Sequence, residues 1–178
     1  MPLWPPHQKT AACVGCPQAA RGRGFVPGDG PLPADLMVVV DQPGENDVLE
    51  GVAVTGKPGW ILQDGLGGKE GRARTYVTNL RKCLAPKGQP PAERAAAIAH
   101  CATAYLQWEL DDCQPKIVLA IGADSSHVLA GRGDVSVVSG SVYTRAEVDA
   151  MRTLGGPATC DPEEDGDGGE EVVPESGA

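Results

Sequence analysis

The 178-residue chain has no apolar run longer than a few residues, and its opening MPLWPPHQK lacks the basic-then-apolar form of a secretory leader. Those absences exclude a membrane-spanning helix and predict a reducing, cytoplasmic setting, in which six cysteines bind metal or pack rather than pair. No segment repeats, which excludes solenoids and propellers. Histidine is scarce: His7, His100 and His127 are the whole supply, and none precedes a proline. Basic residues are missing altogether from Asp161 to Ala178, where eight acidic residues stand among glycine and proline. Such a segment cannot bury enough apolar surface to offset its ordering entropy, so a disordered acidic tail (161–178) is expected after a single domain over 1–160. Removing those eight charges from the net of −9 leaves about −1, a nearly neutral body that does not repel a polyanion.

What is present reads as alternating strands and helices. Leu36–Val40 (LMVVV) and Ile117–Ile121 (IVLAI) are continuous apolar runs of the kind that become buried parallel strands, and Thr75–Leu80 supplies a third. A helical pattern runs from Pro91 to Asp112, with proline tolerated at its first turn. Shorter helical patterns follow Gly59 and Gly122. Alternation of this kind predicts an α/β fold, a three-layer α/β/α sandwich with a short central parallel sheet. Ala19–Pro33, rich in glycine and proline, reads as a long loop. Val135–Val138 and Ser141–Tyr143 flank a Ser-Gly turn and suggest a hairpin, and Thr144 with Glu147 caps a short helix.

Four cysteines stand at places this scheme can bring together. Cys13 and Cys16 form a CxxC, Cys83 follows the Thr75–Leu80 strand, and Cys101 lies on the helix after it. Two distant pairs of thiols are what a four-ligand metal site requires, and spacing alone does not separate zinc from iron–sulfur. Cys113 reads as a small apolar core residue. Between Lys69 and Arg94 seven basic residues face two acidic ones, a local excess that could sit on phosphates, with Arg81, Lys82 and Lys87 at its centre.

The order CxxC, YVTNLRKC and helix cysteine resembles the iron–sulfur (family 4) branch of the uracil-DNA glycosylase superfamily, over roughly Cys13 to Gly131. The resemblance implies a 4Fe–4S cluster on Cys13, Cys16, Cys83 and Cys101, with zinc as the alternative. It implies a monomer that acts on uracil-containing DNA, excising the base by hydrolysis of the N-glycosidic bond. Asn79 of YVTN takes the place of the asparagine that reads uracil, since a carboxamide offers both a donor and an acceptor to a pyrimidine edge. VDQPG places Asp41 where the family carries its catalytic acid, with Gln42 and Gly44 lining the base site. GVAVTG places Val54 where a phenylalanine stacks on the base. Three departures bear on rate: Asp41 is one methylene shorter than glutamate, Val54 gives up most of the stacking, and no histidine stands in an HPS-like motif. The resemblance therefore implies a glycosylase with weakened activity, or alternatively an inactive relative that keeps the cluster and binds DNA.

Overall fold

A computed structural model describes residues 11–131, together with 140–142, 144 and 146. The expected hairpin and capped helix fall almost entirely outside those residues, as does the acidic tail. A one-turn 3-10 helix at Ala11–Cys13 opens the described chain, and a long irregular segment leads to β1 (Leu36–Val40). Three short helices follow: α1 (Glu45–Glu50), α2 (Gly56–Gly65) and α3 (Lys69–Ala73). Then come β2 (Thr75–Asn79), α4 (Pro91–Cys101), α5 (Gln107–Cys113), β3 (Ile117–Ile121) and α6 (Ala123–Ala130). Between α4 and α5 the backbone passes through a π-helical segment, Ala102–Leu106, without breaking the rod.

The three strands are parallel in the order β2-β1-β3. β1 is central because its apolar residues on both faces need cover. Met37 and Val39 face Ile98, Leu106, Val128 and Leu129 from α4 to α6 on one side. Val38 faces Val48 of α1 and Leu62 of α2 on the other. The α/β/α layering expected from the sequence is thereby borne out. Register matters for the site: Val40 lies opposite both Asn79 and Ile121, so all three strands end level. The order reverses at β1, and in open parallel sheets the crevice beyond such a reversal is where ligands bind.

Two details differ from expectation. Among the described residues β3 is an open edge strand: Ile117 is 64 % exposed, and Val118, Leu119 and Ile121 are also open. An unbroken apolar run cannot reveal whether a strand is central or peripheral. The Ala19–Pro33 loop is also more tightly held than its composition suggests. Arg23 pairs with Leu84 and Asp29 with Val77 in isolated antiparallel bridges, which lay Phe25 and Val26 into the core alongside β2.

Candidate active site and thiol centre

Four cysteines gather at one end of α4. The turn after the 3-10 helix, closed by the Cys16 N–H on the Cys13 carbonyl at 3.1 Å, projects both CxxC thiols from one short loop. His100, in the last turn of α4, fastens this loop through Nε2 to the Ala12 carbonyl at 2.7 Å. Cys13 Sγ lies 3.0 Å from the Tyr105 hydroxyl and packs with Cys101, Phe25 and Tyr105 in one cluster. The rings of Phe25 and Tyr105 meet edge to face at 5.3 Å, which fixes the apolar wall. Cys83 comes from the loop after β2, where Gln18 Nε2 donates to its sulfur at 3.2 Å and to its carbonyl at 3.1 Å. A Cβ on Gly22 would come within 2.6 Å of Cys83 Sγ, so the loop passes at a distance only glycine permits. Burial pushes the Cys101 thiol up to about 11, opposed by a Lys82 backbone hydrogen bond, with Cys83 and Cys16 close enough to raise it further. None of the described cysteines is in a disulfide. Cys113 is fully buried at the far end of α5, its Sγ 3.6 Å from the Ala34 carbonyl, as a core residue should be.

Among the described residues, no three His, Cys, Asp or Glu side chains stand close enough to share one metal ion. A single zinc, with Zn–S near ~2.3 Å, would draw its four sulfurs to within about 4 Å of one another. Cys13, Cys16, Cys83 and Cys101 are the kind of thiolate donors that either a zinc ion or an iron–sulfur cluster takes.

The second cluster of polar groups sits where the strands end. Asn79 is completely buried, and neither its Oδ1 nor its Nδ2 has a hydrogen-bond partner among the described residues. The chain beyond it stays paired with β1, through Leu80 N–H to the Val40 carbonyl at 2.6 Å and Arg81 N–H to the Asp41 carbonyl at 3.1 Å. Asp41 is half-buried and accepts at Oδ1 from both the N–H (2.8 Å) and the hydroxyl (2.7 Å) of Ser125 at the start of α6. The other oxygen, Oδ2, lies against Gly122, where a Cβ would come within 2.3 Å and φ is +112°. Gln42 accepts from the Ala85 N–H at 3.2 Å, tying the β1 loop to the Cys83 loop.

Gly44 and Val54 belong to a neighbouring lock. Asp47, buried in α1, accepts from the Gly44 N–H (2.9 Å) and from Thr55 through both its N–H (2.6 Å) and its hydroxyl (2.7 Å). This holds Val54 at φ +58°, a left-handed conformation that β-branched residues rarely adopt and that costs about 1–3 kcal/mol. Val54 lines a cavity of about 630 Å³ with Ala53, Gly56 and Trp60; Asn79 is not among its lining residues.

Burial corrects the expectation for two of the three basic residues. Lys82 is 2 % exposed, its Nζ held by Glu109 (2.6 and 2.8 Å), the Thr78 hydroxyl (2.6 Å) and the Asn79 carbonyl (2.8 Å). Arg81 is 3 % exposed, with Nη1 on Gln89 (3.1 Å) and Nη2 on Asp124 (3.3 Å). Neither presents its charge to the surface, because the strand end carries both inward where acids from α5 and α6 meet them. Lys87 is exposed as expected. Four residues that hold the site were not singled out from the sequence: Asp47, Glu109, Asp124 and Ser125. Asp124 and Ser125 had a signal, standing just after a strand-ending glycine at a helix start. Glu109, four residues from Tyr105 on an apolar helix face, had a weaker one.

A hydrogen-bonded path joins the two clusters. Arg81 reaches Gln89, Gln89 Nε2 donates to Gln18 at 2.9 Å, and Gln18 holds Cys83. The sequence profile of the uracil DNA glycosylase superfamily matches residues 27–159, a span that includes Asp41, Val54, Asn79, Cys83 and Cys101. The chain belongs to the uracil DNA glycosylase superfamily. Within that superfamily it is similar to proteins of the type-4 branch. The type-4 uracil-DNA glycosylase of Saccharolobus solfataricus is 29 % identical over 139 residues, which is 74 % of this chain and 63 % of the relative. That of Sulfurisphaera tokodaii is 31 % identical over 121 residues, 67 % of this chain and 54 % of the relative. That of Thermotoga maritima is 26 % identical over 134 residues, 73 % and 67 %. The chain thus spans about half to two thirds of the length of these superfamily relatives.

Proposed function

We propose that the protein is a uracil-DNA glycosylase that hydrolyses the N-glycosidic bond of uracil in DNA, at a rate reduced by its departures around the base site. The observation that carries this reading is the Asn79 carboxamide, fully buried and without a partner among the described residues at the level ends of the strands. Buried polar groups are otherwise almost always satisfied, so an amide kept without partners is kept for a ligand. Its donor and acceptor match the carbonyl and imide N–H of a uracil flipped out of the stack, and a base without that edge leaves them unpaired.

Asp41 orients the attacking water and faces the positive charge that develops on the sugar. Ser125 holds one carboxylate oxygen, so the other, beside Gly122, is the one that meets water. Gln42 and Gly44 shape the loop under the base, and Val54 gives it a small apolar contact. Because Asn79 is fully enclosed, base entry requires the segments covering it to move.

Cys13, Cys16, Cys83 and Cys101 would hold a 4Fe–4S cluster, whose contribution is to staple the N-terminal segment, the β2 loop and α4 into one rigid wall. Similarity to the type-4 uracil-DNA glycosylases supports a cluster over zinc. Lys87 supplies a phosphate contact on the surface, and the protein works as a cytoplasmic monomer; no described helix is long and apolar enough to cross a membrane.

The test is incubation with a uracil-containing oligonucleotide followed by alkaline cleavage of abasic sites. Scission at uracil alone supports the reading, and none above a buffer control rejects it. A second reading, a DNA-binding relative without turnover, is favoured by the short Asp41 and its commitment to Ser125. It predicts a salt-dependent mobility shift on uracil-bearing DNA with no scission.

A further inference from the structure

Four buried side-chain atoms lack a hydrogen-bond partner among the described residues, and three of them fall within three residues at the end of β2: Oδ1 and Nδ2 of Asn79 and Nε of Arg81. If the Asn79 amide is kept unpaired for a pyrimidine, the Arg81 N–H beside it in sequence calls for the same explanation.

The guanidinium is fixed on its far side. Nη1 donates to Gln89 at 3.1 Å and Nη2 to Asp124 at 3.3 Å. Asp124 does not cancel the charge by itself, because Arg94 also claims it, through Nε at 3.1 Å and Nη2 at 2.8 Å. Asp124 is thereby shared between the buried Arg81 and the half-exposed Arg94, which leaves Arg81 without an exclusive counter-charge, and Asp41 is the other carboxylate near it. The backbone N–H of Arg81 meanwhile donates to the Asp41 carbonyl, which places the residue at the crevice where β1 and β2 end. A preorganised cation with one donor in reserve is the arrangement that stabilises negative charge as it develops, since nothing has to reorganise during the reaction.

We propose that Arg81 is a catalytic residue for the departing base, an inference that rests on the glycosylase reading above. As the C1′–N1 bond breaks, its electron pair leaves with N1 and the pyrimidine becomes an anion delocalised onto its carbonyl oxygens. Arg81 Nε–H donates to that anion and its charge lowers the anion's energy. The sugar cation is captured by water, whose proton passes to Asp41, and the pyrimidine anion takes a proton from solvent after release. Arg81 remains protonated throughout.

The test compares Arg81→Met and Arg81→Lys with the parent protein on oligonucleotides carrying uracil or 5-fluorouracil, whose fluorine makes the base a better leaving group. Arg81→Met should lose about 10²–10³-fold on uracil and markedly less on 5-fluorouracil, with Arg81→Lys between. Lys116→Gln, which removes one cation from an exposed ion pair with Asp35 away from the strand ends, should stay within a few-fold of the parent. Equal losses on both bases would make Arg81 a structural prop and overturn the inference. Binding of free 5-nitrouracil, anionic at neutral pH, is measured alongside by calorimetry and needs no turnover. Weaker binding to Arg81→Met supports the inference, and unchanged binding refutes it while leaving the glycosylase reading standing. A parent protein that neither excises uracil nor binds 5-nitrouracil refutes both.

Discussion

Replacing Asn79 by leucine, nearly the same shape without polar atoms, should act in opposite directions on stability and on activity. A fully buried residue ordinarily destabilises the fold when changed. Here the amide has no partner on either polar atom among the described residues, so its burial already carries a desolvation penalty of about 1–3 kcal/mol per unsatisfied group. Water admitted to the site reduces that penalty, and the expectation is therefore a melting midpoint that stays or rises, by up to roughly 1–3 kcal/mol. For a chain of this size that is about 2–10 °C. Excision should fall by on the order of 10²-fold or more, because the pyrimidine edge then meets only methyl groups. Urea denaturation gives the first quantity and single-turnover scission of a uracil oligonucleotide the second. A loss of more than about 1 kcal/mol would mean the amide is a structural bond-former after all. Unchanged excision would remove it from base recognition.

Three further outcomes follow from the geometry. Glu109→Gln leaves the Lys82 ammonium buried without its counter-charge and should destabilise by about 3–5 kcal/mol, whereas Lys82→Met with Glu109→Leu should recover most of that loss; urea midpoints of the single and double variants decide. In protein stripped of metal, alkylation followed by mass spectrometry should label the half-exposed Cys13 and Cys16 first, with buried Cys83 and Cys101 slower and Cys113 slowest. After reconstitution with iron and sulfide, all four of the gathered cysteines should resist; persistent labelling of Cys101 would argue against its being a ligand. Lys87→Gln should reduce the salt dependence of DNA binding by about one unit of slope without altering base preference, and an unchanged slope would take Lys87 off the DNA.

Much of the fold was legible because buried parallel strands leave a strong mark. Leu36–Val40 and Ile117–Ile121 are found with the boundaries their apolar runs suggested, and the Thr75 strand to within one residue. The helix begun at Pro91 continues to Cys113 by way of the π-helical segment, a distortion with no spacing signature. The thiol gathering was legible from cysteine order, since topology brings a strand end and the following helix together. Charge was where sequence reading failed. Arg81 and Lys82 look like surface cations because their partners are remote: Glu109 lies 27 residues from Lys82, and Asp124 lies 43 from Arg81. Only tertiary structure reveals that such a pair is internal. Val54 poses the same difficulty, since its left-handed backbone is imposed by Asp47 holding Thr55 and not by any preference of valine.

The account stands most directly on whether the protein removes uracil through Asn79. Parent and Asn79→Leu proteins, with matched metal content and folded by circular dichroism, are incubated with single uracil-bearing strands and their thymine-bearing counterparts, and alkali reveals abasic sites. The account predicts cleavage of the uracil strand alone by the parent and its near loss in the variant. Equal cleavage by both proteins, or none by either, would contradict it.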